Sequence, residues 1–221
     1  MTPTTRSAVV AALDRPDPSA RLRAAVYAGT HPDPEFVEAL VRRCGIDPDF
    51  FVRDMLTWAL TRHAASLVLP RVVAELDSDE PQARSQALHT LTKLPGVGAM
   101  SADLWPRVLS LVDDPVDEVA TTAWRAAVAV VPTGQESALV DTLLAQLGVG
   151  GEERQRRLTR SLVALDRVAD GPVREAMSST DERVARHAAR TARLLDDPDS
   201  GDDDALHEAR RVAVMGSDAD R

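Results

Sequence analysis

Five stretches share one design: Asp17–Gly29 reads DPSARLRAAVYAG, Asp47–Leu60 DPDFFVRDMLTWAL, Ser78–Leu91 SDEPQARSQALHTL, Asp114–Ala127 DPVDEVATTAWRAA and Thr180–Ala192 TDERVARHAARTA. Each opens on an acidic or proline-containing turn. An apolar-x pair follows, then mostly small or apolar residues three and four places on. This is the chemistry of a helix start, because aspartate caps, proline suits the first turn, and both sit well at the positive helix end. The aligned positions are Arg23, Arg53, Arg84, Ala120, a weakly formed fifth near Leu158, and Ala185, at separations from 27 to 38 residues. Small residues at Ala87, Ala123 and Ala188 let neighbouring helices approach closely. A period of this size marks stacked helical hairpins.

The rest of the chain fits the same plan. Apolar residues recur at helical spacing, and Asp-Pro, Pro-Gly and Gly-Gly punctuate them. One set of helices is expected over Thr5–Leu13, Pro34–Arg43, Ala65–Leu76, Ala102–Leu111, Gln135–Leu147 and Pro172–Met177. A second, interleaved set is expected over Ala20–Ala28, Phe50–Arg62, Gln82–Leu94, Glu118–Val130, Glu153–Val168 and Glu182–Leu195. The 221 residues hold 34 alanines, 24 leucines and one isoleucine, Ile46, a composition that argues against an all-β architecture.

The turn aspartates Asp17, Asp47 and Asp114, the arginines Arg23, Arg53 and Arg84, and the recurrent alanines resemble the HEAT-repeat family, including its short bacterial members. The resemblance spans about Thr5 to Leu195. It implies an all-α, right-handed α-solenoid of about six HEAT-like hairpins, with the second helix of each pair on the concave side. The organisation expected is therefore a repeat array over 1–195, an acidic linker over 196–204, and a short C-terminal helix with a frayed tail over 205–221.

The net charge of −9 is uneven. Asp196–Asp204 (DDPDSGDDD) carries six aspartates, whereas Gly151–Leu195 has ten arginines against seven acids. An acidic chain is a poor general nucleic-acid binder, since phosphate contacts dominate that affinity. No run reaches about 18 apolar residues, and Asp14 interrupts the apolar start, so neither membrane span nor signal peptide is expected and the cytoplasm is the default location.

Chemistry-bearing motifs are sparse. The run GVGG at Gly148–Gly151 lacks the Lys-Ser/Thr and the preceding strand of a phosphate loop. The five histidines show no paired metal-ligand spacing, so no metal and no cofactor is expected. Cys44 ends an apolar helical face and reads as a small buried hydrophobe. Asp197–Glu208 only approximates a calcium-loop template, because its glycine falls one position early.

What stands out is a polar stripe on the second-set helices, one and five places after the aligned position, where residues four apart share a face. In the middle repeats it holds Asp54, Trp58, Ser85, His89, Thr121 and Arg125, with Arg62 extending it. A tryptophan beside both charge signs is the composition of a recognition centre. These seven residues are the expected partner-binding patch, and Arg186 with Arg190 a candidate anion-binding pair. The function expected is a non-enzymatic scaffold or regulatory module holding a protein or peptide. The alternative is a nucleic-acid-binding module of the HEAT-like DNA-alkylation-repair glycosylase type, for which Asp54 beside Trp58 is the one candidate pair. A third, more remote likeness is to the HEAT-like lyases of phycobiliproteins.

Overall fold

The computed structural model describes residues 2–97 and 101–197. Among the described residues there are twelve α-helices and no strand, so the chain is all-α. In order they are α1 (Pro3–Leu13), α2 (Pro18–Thr30), α3 (Val37–Ile46), α4 (Phe50–Thr61), α5 (Ala65–Ala74), α6 (Pro81–Leu91), α7 (Ser101–Leu109), α8 (Asp117–Val130), α9 (Glu136–Leu144), α10 (Glu152–Ala164), α11 (Arg167–Ala176) and α12 (Glu182–Asp196). None of them is long and apolar enough to cross a membrane. The helices gather into two compact units, Met1–Pro132 and Thr133–Arg221. In the first, each odd helix packs on the even helix that follows it, and α2, α4, α6 and α8 pack in succession. In the second, α9 packs on α10 and α11, and α12 on α10 and α11.

The starts follow from side-chain capping. Asp17 accepts from the Ser19 and Ala20 amides, Asp49 from Phe51 and Val52, and Asp181 from Arg183. Pro18 and Pro81 occupy the first turn, where a missing N–H costs nothing. Three odd helices, α5, α7 and α11, carry a proline inside them: Pro70, Pro106 and Pro172. The sequence reading starts α11 at Pro172, but the helix begins earlier, at Arg167. Packing against α9 and α12 holds it together across the lost hydrogen bond. Asp196 and Asp197, expected in a linker, are the last residue and the C-cap of α12. The remainder of the expected linker and the C-terminal helix, 198–221, lies outside the described residues.

The core of the first unit is lined by small residues. Ala25, Ala28, Ala59, Ala87, Ala123 and Ala127 are buried on the even helices, and Trp124 is fully buried with them. Its Nε1–H donates to the Val112 carbonyl at 3.0 Å, so the buried ring leaves no polar atom unsatisfied.

Charged ties run between successive pairs. Arg21 donates from Nε and Nη2 to the two oxygens of Asp47, at 2.7 and 2.9 Å, and from Nη1 to the Arg15 and Pro16 carbonyls of the preceding loop. Asp47 is fully buried and also accepts from Arg43 Nε at 2.7 Å and the Asp49 amide at 2.9 Å. Arg84 repeats the arrangement: it donates to Asp114 at 3.0 and 3.2 Å and to the Ser78 and Asp79 carbonyls behind it. The counterpart of Arg53 and Arg84 is therefore Arg21, not the aligned Arg23, which is exposed and 3.8 Å from Asp17. Each tying arginine is the fourth residue of its helix, and a shift of two places rotates a side chain most of the way to the opposite face.

Between α4 and α6 the charged tie is missing. Ser78 stands where Asp47 and Asp114 stand before their helices, and Arg53 Nε has no hydrogen-bond partner. Arg53 Nη1 and Gln82 Nε2 both donate to the Asp47 carbonyl at 2.9 Å instead. Here α6 also packs on α3, so closely that a Cβ on Gly45 would lie 2.9 Å from the Cβ of Ala83.

In the second unit His187 is buried. Its Nδ1 accepts from the Gly148 amide at 3.1 Å, while Nε2 faces the Gln155 carbonyl at 3.1 Å and Thr159 Oγ1 at 3.0 Å, which assigns the neutral Nε2–H tautomer. Gly148 has a φ of +74°, and a Cβ there would stand 2.9 Å from the Val184 amide nitrogen. Burial pushes the His187 pKa down, and Arg190 adds to this against the opposing Gln155 carbonyl.

Two predictions follow from these networks. Burial pushes the Asp47 carboxyl up, but hydrogen bonds from Arg21, Arg43 and the Asp49 amide outweigh it and hold it below its ordinary value. Asp47→Ala strands the buried Arg21 guanidinium and should cost about 3–5 kcal/mol in denaturant unfolding. Asp114→Ala should cost less, because Arg84 keeps some contact with water. For His187, the unfolded chain takes up a proton near its ordinary pKa of about 6.5, which the folded chain resists. Its contribution is thus complete above that value and is lost as pH falls toward the depressed folded pKa. The thermal midpoint should fall between pH 7 and pH 5, and His187→Gln should flatten that slope, leaving the part due to His89, whose pKa is also lowered.

Candidate functional site

Helix α4 exposes a face that a buried repeat helix would cover. Phe51, Asp54, Trp58 and Arg62 follow one another at three- and four-residue spacing and are all exposed. Phe51 keeps 74% of its surface and Phe50 66%, although the third phenylalanine, Phe36, is fully buried. Phe50 and Phe51 meet edge to face at 5.7 Å between centroids.

Trp58 is 38% exposed, and its other side lies on α2. A Cβ built on Gly29 would stand 2.3 Å from Trp58 Cζ3 and 2.8 Å from Cε3, so the ring occupies the space that any other residue at 29 would fill. The indole is thus seated on one face and open on the other. Val26, three residues before Gly29, is exposed beside it.

Helices α6 and α8 bring charge to this face. His89 is half-buried, and its pKa is lowered first by burial, then by Arg125 and Lys93, with Asp54 pulling the other way. These charges from three successive even helices therefore converge on one imidazole. Arg125 Nη2 reaches Thr92 Oγ1 at 3.3 Å, which lays its guanidinium over the end of α6.

Two residues of the expected patch do not belong to it. Ser85 is buried, its Oγ 3.1 Å from Thr122 Oγ1, where it clips α6 to α8. Thr121 is buried as well, its Oγ1 donating to the Glu118 carbonyl at 3.3 Å. Along α6 the stripe goes from buried Ser85 through half-buried His89 to exposed Lys93, and along α8 from buried Thr121 to exposed Arg125. It surfaces only toward the helix C-termini, which a fixed offset from the repeat position does not capture. The structure brings Asp54, His89 and Arg125, with the added Lys93, within electrostatic reach of one another, and sets Trp58, Arg62 and the added Phe51 on the α4 face that carries Asp54. Phe51 was legible in principle, standing three places before Asp54 and seven before Trp58.

Arg186, in the second unit, is exposed and paired with Glu182 at 2.7 Å, and Arg190 follows one turn later, half-buried. A guanidinium engaged by its own helix in this way is a solvated i, i+4 pair. Cys44 is buried, 3.7 Å from Thr57 Oγ1, and burial pushes its thiol up to about 11, so it holds its proton at neutral pH. Among the described residues no group of three His, Cys, Asp or Glu is placed to hold a metal ion.

No protein-family model and no curated protein matches the chain. A solved crystal structure of an engineered protein is similar over 88% of this chain and 99% of its own length, at 16% sequence identity and a TM-score of 0.47. The face itself has to carry the functional argument.

The seating of Trp58 is open to test. Gly29→Ala puts a methyl into the indole, so the Trp58 side-chain N–H resonance should shift, at a stability cost of about 1–3 kcal/mol from overpacking. Gly171→Ala, where nothing lies within 4 Å, should leave that resonance unchanged.

Proposed function

We propose that this chain is a non-enzymatic HEAT-like repeat module, a right-handed α-solenoid of about six hairpins. It holds a protein or peptide partner on the face formed by its even helices. The succession of hairpins and the two Arg-to-Asp ties, Arg21 to Asp47 and Arg84 to Asp114, support the repeat reading. The observation that carries the binding reading is Trp58, an aromatic side chain fixed against Gly29 yet open to solvent, with Phe51 along the same helix and charges of both signs beside it. A ring already immobilised loses little freedom when a partner covers it, and rigid aromatic anchors dominate interface energetics.

Selection of random displayed linear peptides on the full chain tests the reading. Enrichment should occur, and Trp58→Ala should weaken the selected peptides by about 2 kcal/mol or more, the size of a hot-spot truncation. Because the ring is only part-buried, the same change should lower stability by about 1–2 kcal/mol, less than a core truncation. Enrichment that survives Trp58→Ala unchanged would overturn the assignment of the face.

A further inference from the structure

Acids outnumber bases in this chain by nine, and in the first unit most surface arginines are neutralised by them. Arg6 meets Glu35, Arg42 meets Asp14, Arg71 meets Glu38, and Arg107 meets Asp77. The cations of the α4–α6–α8 face are treated differently. Arg62, Lys93 and Arg125 are exposed and form no salt bridge among the described residues, and Lys93 is the only lysine of the chain.

The charge balance of that face can be drawn from its geometry. Arg62 caps the C-terminus of α4, and Lys93 lies just past the end of α6. Each helix end contributes roughly half a negative charge there, which offsets part of the cationic charge. Arg125 is not so offset, since α8 continues to Val130. On the same helices Asp54 and Glu118 lie about two turns N-terminal to Arg62 and Arg125. The C-terminal edge is therefore net cationic, while Trp58, one turn before Arg62, is apolar. Burial is the main reason the His89 pKa is lowered, and Arg125 and Lys93 add to it against the opposing pull of Asp54, so both cations lie within electrostatic reach of the imidazole.

We infer that the partner segment is an acidic peptide, its carboxylates lying over Arg62, Lys93 and Arg125 and an apolar side chain seated on Trp58. This rests on the peptide-binding reading and goes further in fixing the chemistry of the ligand. Surface pairs are individually weak, so the aromatic contact supplies affinity and the cations supply selection and orientation. Acids outnumber bases in the first unit as a whole, which disfavours the same acidic ligand elsewhere on that unit. A single-stranded nucleic acid could also offer negative charge and stacking rings, but three cations on an acidic chain are few for a ligand whose affinity comes from many phosphates.

The test uses the peptides enriched on the full chain. Their sequences should show an excess of Asp and Glu around an apolar residue. Lys93→Glu combined with Arg125→Glu should weaken a synthetic copy of the strongest one at least tenfold, and raising the salt should weaken it on the unaltered chain. Arg160→Glu, a reversal at an exposed cation of the second unit, should leave it unchanged, and helix content should be the same in all variants. Enriched peptides that depend on Trp58 but are neutral or basic, or that ignore the double reversal, would overturn the acidic assignment and leave the peptide-binding reading standing. No Trp58-dependent enrichment at all would overturn both. Binding of labelled oligothymidylate, abolished by Trp58→Ala, would assign the face to nucleic acid instead.

Discussion

A carboxylate sealed from water decides how the first two helix pairs meet. Asp47 has no exposed surface, so it is tolerable only because Arg21, Arg43 and the Asp49 amide all donate to it. Those donors come from two different pairs, which means that the desolvation cost is recovered only when the pairs are docked in one register. Arg21 also ties itself to the Arg15 and Pro16 carbonyls, so one side chain fixes both the loop behind it and the pair ahead. The face of α4 inherits its position from this arrangement. Asp49 caps α4 two residues after Asp47, and from that start the helix places Phe51, Trp58 and Arg62 in turn.

Alanine supplies the complementary constraint. With so many small side chains on the even helices, close helix approach leaves little room for error, and Trp124 and Trp58 show two outcomes. Trp124 has the Val112 carbonyl to accept its N–H and is fully buried; Trp58 lies on Gly29 and keeps its other face in water.

The helices were legible in the sequence because aspartate caps, prolines and the 3.6-residue period all mark them locally; every helix expected within the described residues has a counterpart. What was not legible depends on contacts between elements. Arg23 and Arg21 both look like repeat arginines, and only the location of Asp47 distinguishes them. Pro172 reads as a helix start because the packing that carries α11 through it is not local. Ser85 and Thr121 have the composition of a surface stripe, but whether a stripe surfaces depends on how neighbouring helices close over it. Phe51 belongs to the same helical face as Trp58, yet an apolar residue just after a cap is ordinarily destined for the interior.

The three joints of the first unit are not alike. The joint of α2 with α4 is latched by Arg21 and Asp47, and that of α6 with α8 by Arg84 and Asp114, whereas α6 meets the pair of α3 and α4 through a neutral amide hydrogen bond from Gln82 to the Asp47 carbonyl and a Gly45–Ala83 contact. Mechanically this makes two stiff halves with a softer elbow between them. Trp58 stands on one side of that elbow, and His89, Lys93 and Arg125 on the other. Anything gripping both sides acts as a splint, so occupancy of the face and rigidity of the unit are coupled quantities, each raising the other.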